Sequence, residues 1–223
     1  MSDERLIPPT MLYRFAIPCK KVMEPWNNKS GVELDESYRI PSMSHLDGKP
    51  AFAEIRIGWN ETGMLFQIDV DKKQQSLWCR ETQLMDSDGF QVWLDTRNTQ
   101  NVHRATRYCH WFLFLPTGGG SKRESPHATM LRINRSKDDP KTLNQVQPKI
   151  IATQKLGGYT MRILIPKMAI DGWNPEEHPK LGFNYAVIDR ELGNQTLSVG
   201  TEFPVAEDPS LWQTLVLKTE SPA

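Results

Sequence analysis

Two neighbouring stretches of the chain combine flat indole rings with side chains that form hydrogen bonds to neutral ligands. Trp78 and Arg80 lie in a polar, loop-like stretch, and Gln91 and Trp93 lie in the strand-like segment that follows. Indole planes pack against the C–H faces of sugar rings, while amides and guanidinium groups pair with hydroxyls. These side chains therefore form a candidate sugar site. Its weaker members are Asp88 and His110.

Aspartates near the same segment could instead suggest hydrolysis. A glycosidase needs two carboxylates that act on one bond. Asp88 and Asp95 would be about 23 Å apart on one strand at ~3.3 Å per residue, which is too far for a shared reaction. Asp86 and Asp88 could share a face and hold a structural calcium ion, although carboxylates at a strand start more often cap a turn. We therefore predict a protein that is not an enzyme and needs no cofactor, with calcium left open.

Cysteine and histidine spacing does not indicate a nucleophile or a metal site. The three cysteines are widely spaced, odd in number and without a CxxC pair, which favours free thiols over disulfides. Cys109 and His110 are neighbours, but adjacent residues of a strand point to opposite faces and cannot form a dyad. The five histidines show no HxH or HxxxH spacing, so a histidine-built metal site is not predicted.

Alternation of apolar and polar residues dominates the middle of the chain and predicts β-strands. Residues 51–59 and 64–71 alternate on either side of a turn, which predicts an antiparallel hairpin. Tyr108 to Leu115 is an almost continuous apolar run, typical of a central strand covered on both faces. Further strands are predicted at Leu12 to Ile17, Phe90 to Asp95, Tyr159 to Ile165, Phe183 to Ile188 and Leu211 to Leu217.

Helical signal is sparse. Only Pro166 to Gly172 has the proline start and glycine end of a helical turn. Strands at this density, separated by Gly, Pro and Asn/Asp clusters, predict an all-β fold, an antiparallel β-sandwich of jelly-roll or immunoglobulin-like type with little helix. No linker or internal repeat divides the chain, so we predict a single domain over residues 1–223.

The charge balance argues against polyanionic partners. Lys and Arg total 27 and Asp and Glu total 27, so no net field attracts nucleic acid. No apolar run approaches the roughly 20 residues that span a bilayer, and Met1 to Pro9 lacks the basic and apolar regions of a signal peptide. We expect neither a nucleic acid nor a membrane partner, and a cytoplasmic location for the chain as written. The sequence does not predict the oligomeric state.

The order of the strand-like segments resembles that of family 9 carbohydrate-binding modules and the wider group of DOMON-like sandwich domains. The matching segments are Ala53 to Trp59 with Leu65 to Val70, Asp88 to Asp95, Gly157 to Pro166, Leu181 to Asp189 and Asp208 to Leu215. Together they cover about Ala51 to Leu217. The resemblance implies a non-catalytic β-sandwich that binds an oligo- or polysaccharide.

The residues that hold the sugar in that family are only partly matched. Its members typically hold a glycan end between two tryptophans, and the resemblance places Met85 and Ala206 at roughly those positions. Trp78 and Phe203 lie nearby as substitutes. The family's usual glutamate falls on Gln91, which can still bond hydroxyls but carries no charge. No arginine matches the one expected on the following strand.

Two alternative functions follow from the same resemblance. Some domains of the wider group bind haem, and His110 with a methionine such as Met85 would then be the axial ligands of an electron-transfer domain. The departures at Met85 and Ala206 also fit an interaction domain with a degenerate sugar site. Such a domain would expose a large apolar patch.

Overall fold

The computed structural model of the protein describes residues 9–43, 46, 48, 51–143, 145–200 and 202–219. Regular structure within these residues consists of β-strands and short 3-10 turns, without an α-helix. The predicted all-β class is therefore confirmed. The strands are β1 (Ala16–Lys21), β2 (Ala53–Asn60), β3 (Gly63–Val70), β4 (Gly89–Asp95), β5 (Cys109–Gly119), β6 (Ser125–Leu131), β7 (Lys149–Lys155), β8 (Gly158–Pro166), β9 (Lys180–Asp189), β10 (Gly193–Thr196) and β11 (Gln213–Leu217).

Short 3-10 turns connect or precede several strands. The turn predicted within Pro166 to Gly172 is present as Lys167–Ala169. The other turns are Pro9–Leu12, Glu36–Tyr38, Leu84–Asp86 and Pro209–Leu211. None of the helical segments in the described residues has the length and apolar character needed to cross a bilayer.

The strands form one hydrogen-bonded path that folds back on itself. Their order is β6-β5-β4-β9-β11-β1-β2-β3-β8-β7, and β10 pairs with β9. We call β6, β5, β4, β9, β10 and β11 the first layer, and β2, β3, β8 and β7 the second layer. Because β7 also lies against β5 and β6, the ends of the path approach each other and the sheet is nearly closed.

Strand β1 joins the two layers through parallel pairs. Residues 16–19 pair with β11 and residues 20–21 pair with β2, in both cases in parallel. The expectation of a purely antiparallel sheet is therefore wrong, because alternation reports which face is buried and not the direction of the neighbouring strand. The first strand was also predicted too early. Leu12 and Tyr13 are 71% and 58% exposed, so they lack the burial that a central strand requires.

The predicted hairpin of β2 and β3 is confirmed. The two strands pair along their length, and Asn60 opposes Gly63 across a two-residue turn. Gly63 has φ +145°, and a Cβ atom there would lie 2.0 Å from the carbonyl oxygen of Ile165 on β8. Only glycine fits this close approach. The hairpin can therefore lie directly beside β8.

The hydrophobic core lies between the two layers. Phe66 of β3 packs against Phe90 of β4 and Phe183 of β9, with ring centroids 5.8 Å and 6.5 Å apart. These rings come from opposite layers, so their contacts hold the layers together. Apart from β10, the described strands of both layers contribute side chains to this core. The assignment to a jelly-roll or immunoglobulin type and the single domain over residues 1–223 stay predictions.

His110 and Cys109 lie on opposite faces of β5, as the strand alternation predicts. Cys109 packs in a cluster on the outer face of the first layer. The His110 ring lies inside the protein, fully buried and parallel to Phe112 with centroids 6.1 Å apart. Its Nε2 atom accepts a hydrogen bond of 2.7 Å from the backbone N–H of Asp171. Burial lowers the pKa of His110 to about 4.

We expect His110 to make the protein less stable in acid. Between pH 6.5 and 4 the unfolded chain binds a proton at this residue and the folded protein does not, so the free energy of unfolding should fall by about 3 kcal/mol as the pH decreases. Denaturant unfolding at a series of pH values measures this slope. His110→Gln keeps an acceptor for the backbone N–H of Asp171 and should reduce the change in the free energy of unfolding with pH. His178→Gln, at a half-exposed position, should leave that pH dependence unchanged. An unchanged slope in His110→Gln would contradict the prediction.

Candidate functional site

An open pocket of about 530 Å³ lies where the segment between β3 and β4 meets the turn between β9 and β10. Its walls combine an indole and a thioether with amides, carboxylates and one guanidinium group. The lining residues are Trp78, Gln83, Met85, Asp86, Ile188, Asp189, Arg190 and Asn194. The pocket therefore offers both apolar surface and hydrogen-bonding groups to a ligand. We call it the Trp78 pocket.

Two arginine side chains lie over the half-buried ring of Trp78. The guanidinium carbon of Arg190 is 4.3 Å from the ring centroid, and that of Arg80 is 5.6 Å away. Such cation–π contacts restrain each guanidinium while leaving N–H donors at its edge. The structure thus brings the predicted residues Trp78 and Arg80 together beside an open pocket, and it adds Arg190 from a distant part of the chain.

Asp88 connects the two sides of the Trp78 pocket from beneath. Its Oδ2 atom accepts a hydrogen bond of 3.0 Å from the backbone N–H of Trp78, and its Oδ1 atom accepts one of 2.9 Å from the backbone N–H of Arg190. The backbone N–H of Asp88 also donates to the carbonyl oxygen of Trp78 at 2.9 Å. Asp88 is only 1% exposed, so it positions the pocket walls from inside the protein.

Lys73 neutralises two buried aspartates under the pocket. Its Nζ atom lies 2.7 Å from Asp189 Oδ2 and 3.3 Å from Asp88 Oδ2, and all three side chains are buried. Burial alone would lower the pKa of Lys73, but the hydrogen bond to Asp189 and the charge of Asp88 raise it above its usual value. Asp189 also accepts hydrogen bonds from the backbone N–H groups of Glu191 and Leu192. One cation therefore secures the turn that carries Arg190.

Gln91 and Trp93 lie on the outer face of the first layer, where loops cover them. Gln91 is 7% exposed and Trp93 is 2% exposed. The Trp93 ring stacks on that of Trp111 with centroids 5.6 Å apart, and Trp111 Nε1 donates to Gln91 Oε1 at 3.2 Å. The covering side chains include Ala105, Ile133, Val199, Val205 and Trp212. The structure therefore separates Gln91 and Trp93 from the open Trp78 pocket.

The pair of haem ligands suggested by the sequence is not brought together. His110 lies in the core with its Nε2 atom bonded to a backbone N–H, while Met85 is 47% exposed and lines the Trp78 pocket. His110 therefore takes part neither in an open sugar site nor in an axial pair with Met85. The suggested calcium ion at Asp86 and Asp88 stays a prediction, and the Asp88 carboxylate is already paired with Lys73.

Sequence reasoning missed Lys73, Arg190 and Asn194. Lys73 follows β3 and reaches the site from the second layer. Arg190 and Asn194 reach it because β4 pairs with β9, which places Gly89 opposite Ile188. A single sequence shows that both strands alternate, but not that they are neighbours. The available signal was the pair of aspartates at matching strand ends. Two buried carboxylates require a cation, and a lysine that follows β3 could have been proposed as their partner.

A larger open pocket of about 650 Å³ lies elsewhere in the described part of the chain, beside Trp59 and Trp173. Its indoles serve the packing of the fold. Trp59 is 5% exposed and donates from Nε1 to the carbonyl oxygen of Lys218 at 3.0 Å. The Trp173 ring packs edge-on against Trp59 with centroids 6.4 Å apart. We therefore favour the Trp78 pocket as the ligand site despite its smaller volume.

The overall structure is similar to solved structures of family 9 carbohydrate-binding modules. One, from Caldicellulosiruptor kristjanssonii in complex with cellotriose, is 13% identical, and the match covers 93% of this chain and 95% of that chain with a TM-score of 0.61. Another, from the same organism in complex with glucose, is 13% identical over 94% and 98% of the two chains with a TM-score of 0.59. A protein from Bacteroides uniformis is 13% identical over 92% and 100%, with a TM-score of 0.54.

No family model matches the chain, and no curated protein is similar to it in sequence. The likeness is therefore one of structure. The protein has the β-sandwich fold of family 9 carbohydrate-binding modules, in agreement with the resemblance of its strand segments. Within this fold, the strands of the protein form a nearly closed path, and β1 pairs in parallel with β11 and β2.

We expect removal of the Lys73 charge to destabilise the protein strongly. Lys73→Met would leave Asp88 and Asp189 buried without a cation, at a cost of about 3–5 kcal/mol. Chemical denaturation measures the loss. Lys72→Met, which changes the exposed neighbouring lysine, is the matched control and should change stability little. Equal stability of the two variants would show that the buried ion pairs do not hold the pocket walls.

Proposed function

We propose that the protein is a non-catalytic carbohydrate-binding protein and that the Trp78 pocket holds the sugar. The observation that carries this proposal is a half-exposed indole beside unbonded amides in an open pocket, on a fold shared with carbohydrate-binding modules. The side chains of Gln83 and Asn194 are exposed, and they form no hydrogen bond within the described residues. Planar amides of this kind pair with sugar hydroxyls.

The pocket can bind a sugar ring through two kinds of contact. The C–H face of the ring packs against the open part of the Trp78 indole and the Met85 side chain. The hydroxyls at the ring edge accept hydrogen bonds from the Arg190 guanidinium. With the Asn194 amide they form hydrogen bonds as donors to its oxygen and as acceptors from its NH2 group. Because the arginine is restrained on the indole at 4.3 Å, less side-chain entropy is lost on binding.

The carboxylates of the pocket support a binding role without catalysis. Glycoside hydrolysis uses a pair of carboxylates, one as acid and one as base or nucleophile. Two carboxylates line the Trp78 pocket, and that of Asp189 is held by Lys73 at 2.7 Å. Asp86 remains available, and alone it can only accept hydrogen bonds from hydroxyls. The ligand that this arrangement favours is an oligosaccharide or the end of a polysaccharide chain.

The interaction-domain alternative receives less support. It requires a large exposed apolar patch. Of the seven large exposed hydrophobic residues in the described chain, three are consecutive and four occur singly in the sequence. They are Met11, Leu12, Tyr13, Met23, Met85, Leu156 and Met168. A cytoplasmic location and the absence of nucleic acid and membrane partners stay predictions.

We expect Trp78→Ala to weaken glycan binding by about tenfold or more, because the apolar platform for the sugar ring is lost. Calorimetric titration with glucose and cellotriose, preceded by a glycan array if neither binds, measures the affinity. Trp173→Ala removes an indole from the other pocket and is the matched control. Binding that is lost in Trp173→Ala and retained in Trp78→Ala would move the site to the Trp59 and Trp173 pocket. No binding to any glycan would reject the proposed function.

We expect Met85→Trp to strengthen binding. Met85 is exposed at the rim of the pocket, so a larger ring can be accommodated there, and a rigid indole plane provides more contact with a sugar than a flexible thioether. The affinity should rise several-fold, roughly 1 kcal/mol. Met168→Trp, at an exposed methionine beside the other pocket, is the control. An unchanged or lower affinity in Met85→Trp would indicate that the ligand does not reach this side of the pocket.

A further inference from the structure

A second group of aromatic and cationic side chains lies at the opposite end of β4. Arg97, Arg107 and Lys141 line an open pocket of about 580 Å³ together with Tyr108. Strand β4 separates this pocket from the Trp78 pocket by about 20 Å at ~3.3 Å per residue. The two pockets are therefore distinct. We call this one the Tyr108 pocket.

Two guanidinium groups lie over the same tyrosine ring in the Tyr108 pocket. The guanidinium carbons of Arg97 and Arg107 are 4.1 Å and 4.8 Å from the ring centroid. Arg107 Nη2 also donates a hydrogen bond of 2.7 Å to the phenol oxygen, and this bond lowers the pKa of Tyr108. Two like charges held around one ring repel each other unless an opposite charge is near.

The position of Arg97 is fixed by the backbone. Its Nη1 atom donates to the carbonyl oxygens of Thr96 and Gly172 at 3.1 Å and 3.0 Å. Gly172 has φ +75°, and a Cβ atom there would lie 2.8 Å from the Tyr108 ring and 3.0 Å from Arg97 Nη1. The stack of arginine on tyrosine thus fits into space that only glycine leaves free. Arg97 is therefore prearranged, and Arg107 is held by its hydrogen bond to the Tyr108 phenol oxygen.

The carboxylates near these cations do not form ion pairs with them: the charges of Asp171 and Asp138 act on Arg107 from a distance, and Asp171 Oδ2 accepts a hydrogen bond of 3.4 Å from the backbone N–H of Lys141. In the described residues no carboxylate lies within ion-pair distance of Arg97, Arg107 or Lys141. Of the two carboxylates that line the pocket, Asp139 is held by Arg132, and Asp138 is exposed. The lining is therefore positive, although the molecule as a whole carries no net charge.

We propose that the Tyr108 pocket binds a small oxyanion, such as a carboxylate, sulfate or phosphate group, between the two arginines and Lys141. A guanidinium group presents paired N–H donors whose spacing matches two oxygens of such a group. The anion offsets the repulsion between the two guanidinium groups. It also accepts hydrogen bonds from the guanidinium N–H groups that are not bonded to the backbone. This site goes beyond the proposed sugar pocket, because it selects for charge.

Titration followed by NMR tests the proposal. Sodium sulfate and sodium glucuronate are added at constant ionic strength, and the amide of Tyr108 and the side-chain N–H groups of Arg107 are observed. Both anions should shift these signals with saturation. Arg107→Gln should weaken binding about tenfold or more, and Lys141→Gln, at an exposed position, several-fold. Lys122→Gln removes a positive charge from the exposed turn after β5 and should leave the affinity unchanged.

The same titration in Trp78→Ala separates this proposal from the sugar pocket, because anion binding should persist there. Tighter binding of sulfate supports a site for free tetrahedral anions, whereas tighter binding of glucuronate supports a site for the acid group of a sugar. The proposal is overturned if neither anion binds the folded protein. It is also overturned if Arg107→Gln and Lys141→Gln both bind as tightly as the unchanged chain.

Discussion

The walls of the Trp78 pocket depend on one buried cation, the ammonium group of Lys73. It lies between Asp88 and Asp189, at the ends of strands that the sequence separates by about a hundred residues. Each carboxylate in turn accepts backbone N–H groups, and through these bonds Trp78 and Arg190 keep their places. A buried ion pair adds little net stability compared with apolar packing, but its geometry is demanding. Here that geometry determines the shape of the Trp78 pocket.

Much of the fold could be predicted because strand alternation reports burial directly. The hairpin of β2 and β3 and the strands β4, β8 and β9 appear where the pattern indicates them. The position and direction of β1 could not be predicted in this way. Its short parallel pairs depend on which strands lie next to it, and that information is distributed over the whole chain. The alternation of apolar and polar residues shows which side chains of a strand are buried, but it does not show which strands are its neighbours.

The candidate site shows a second limit of sequence reasoning. Alternation along Phe90 to Asp95 puts Gln91 and Trp93 on the face of β4 opposite Phe90, Val92 and Leu94, and Trp93 stacks on Trp111 there. It could not show that loops bring Val199 and Trp212 over that face. Trp78, by contrast, lies outside any alternating segment among polar neighbours, and it is half-buried beside an open pocket. For an aromatic residue, the loops above a strand decide whether it is available to a ligand.

The placement of β1 between β11 and β2 has a consequence for the newly made chain. Among the described strands, β11 follows all the others in the sequence, so its pairing with β1 can form only after the other strands of the path have been made. Until then the edges of β1 and β9 carry unpaired backbone groups, which are the usual starting points of aggregation. The described sheet is therefore completed late, when β11 enters between β9 and β1.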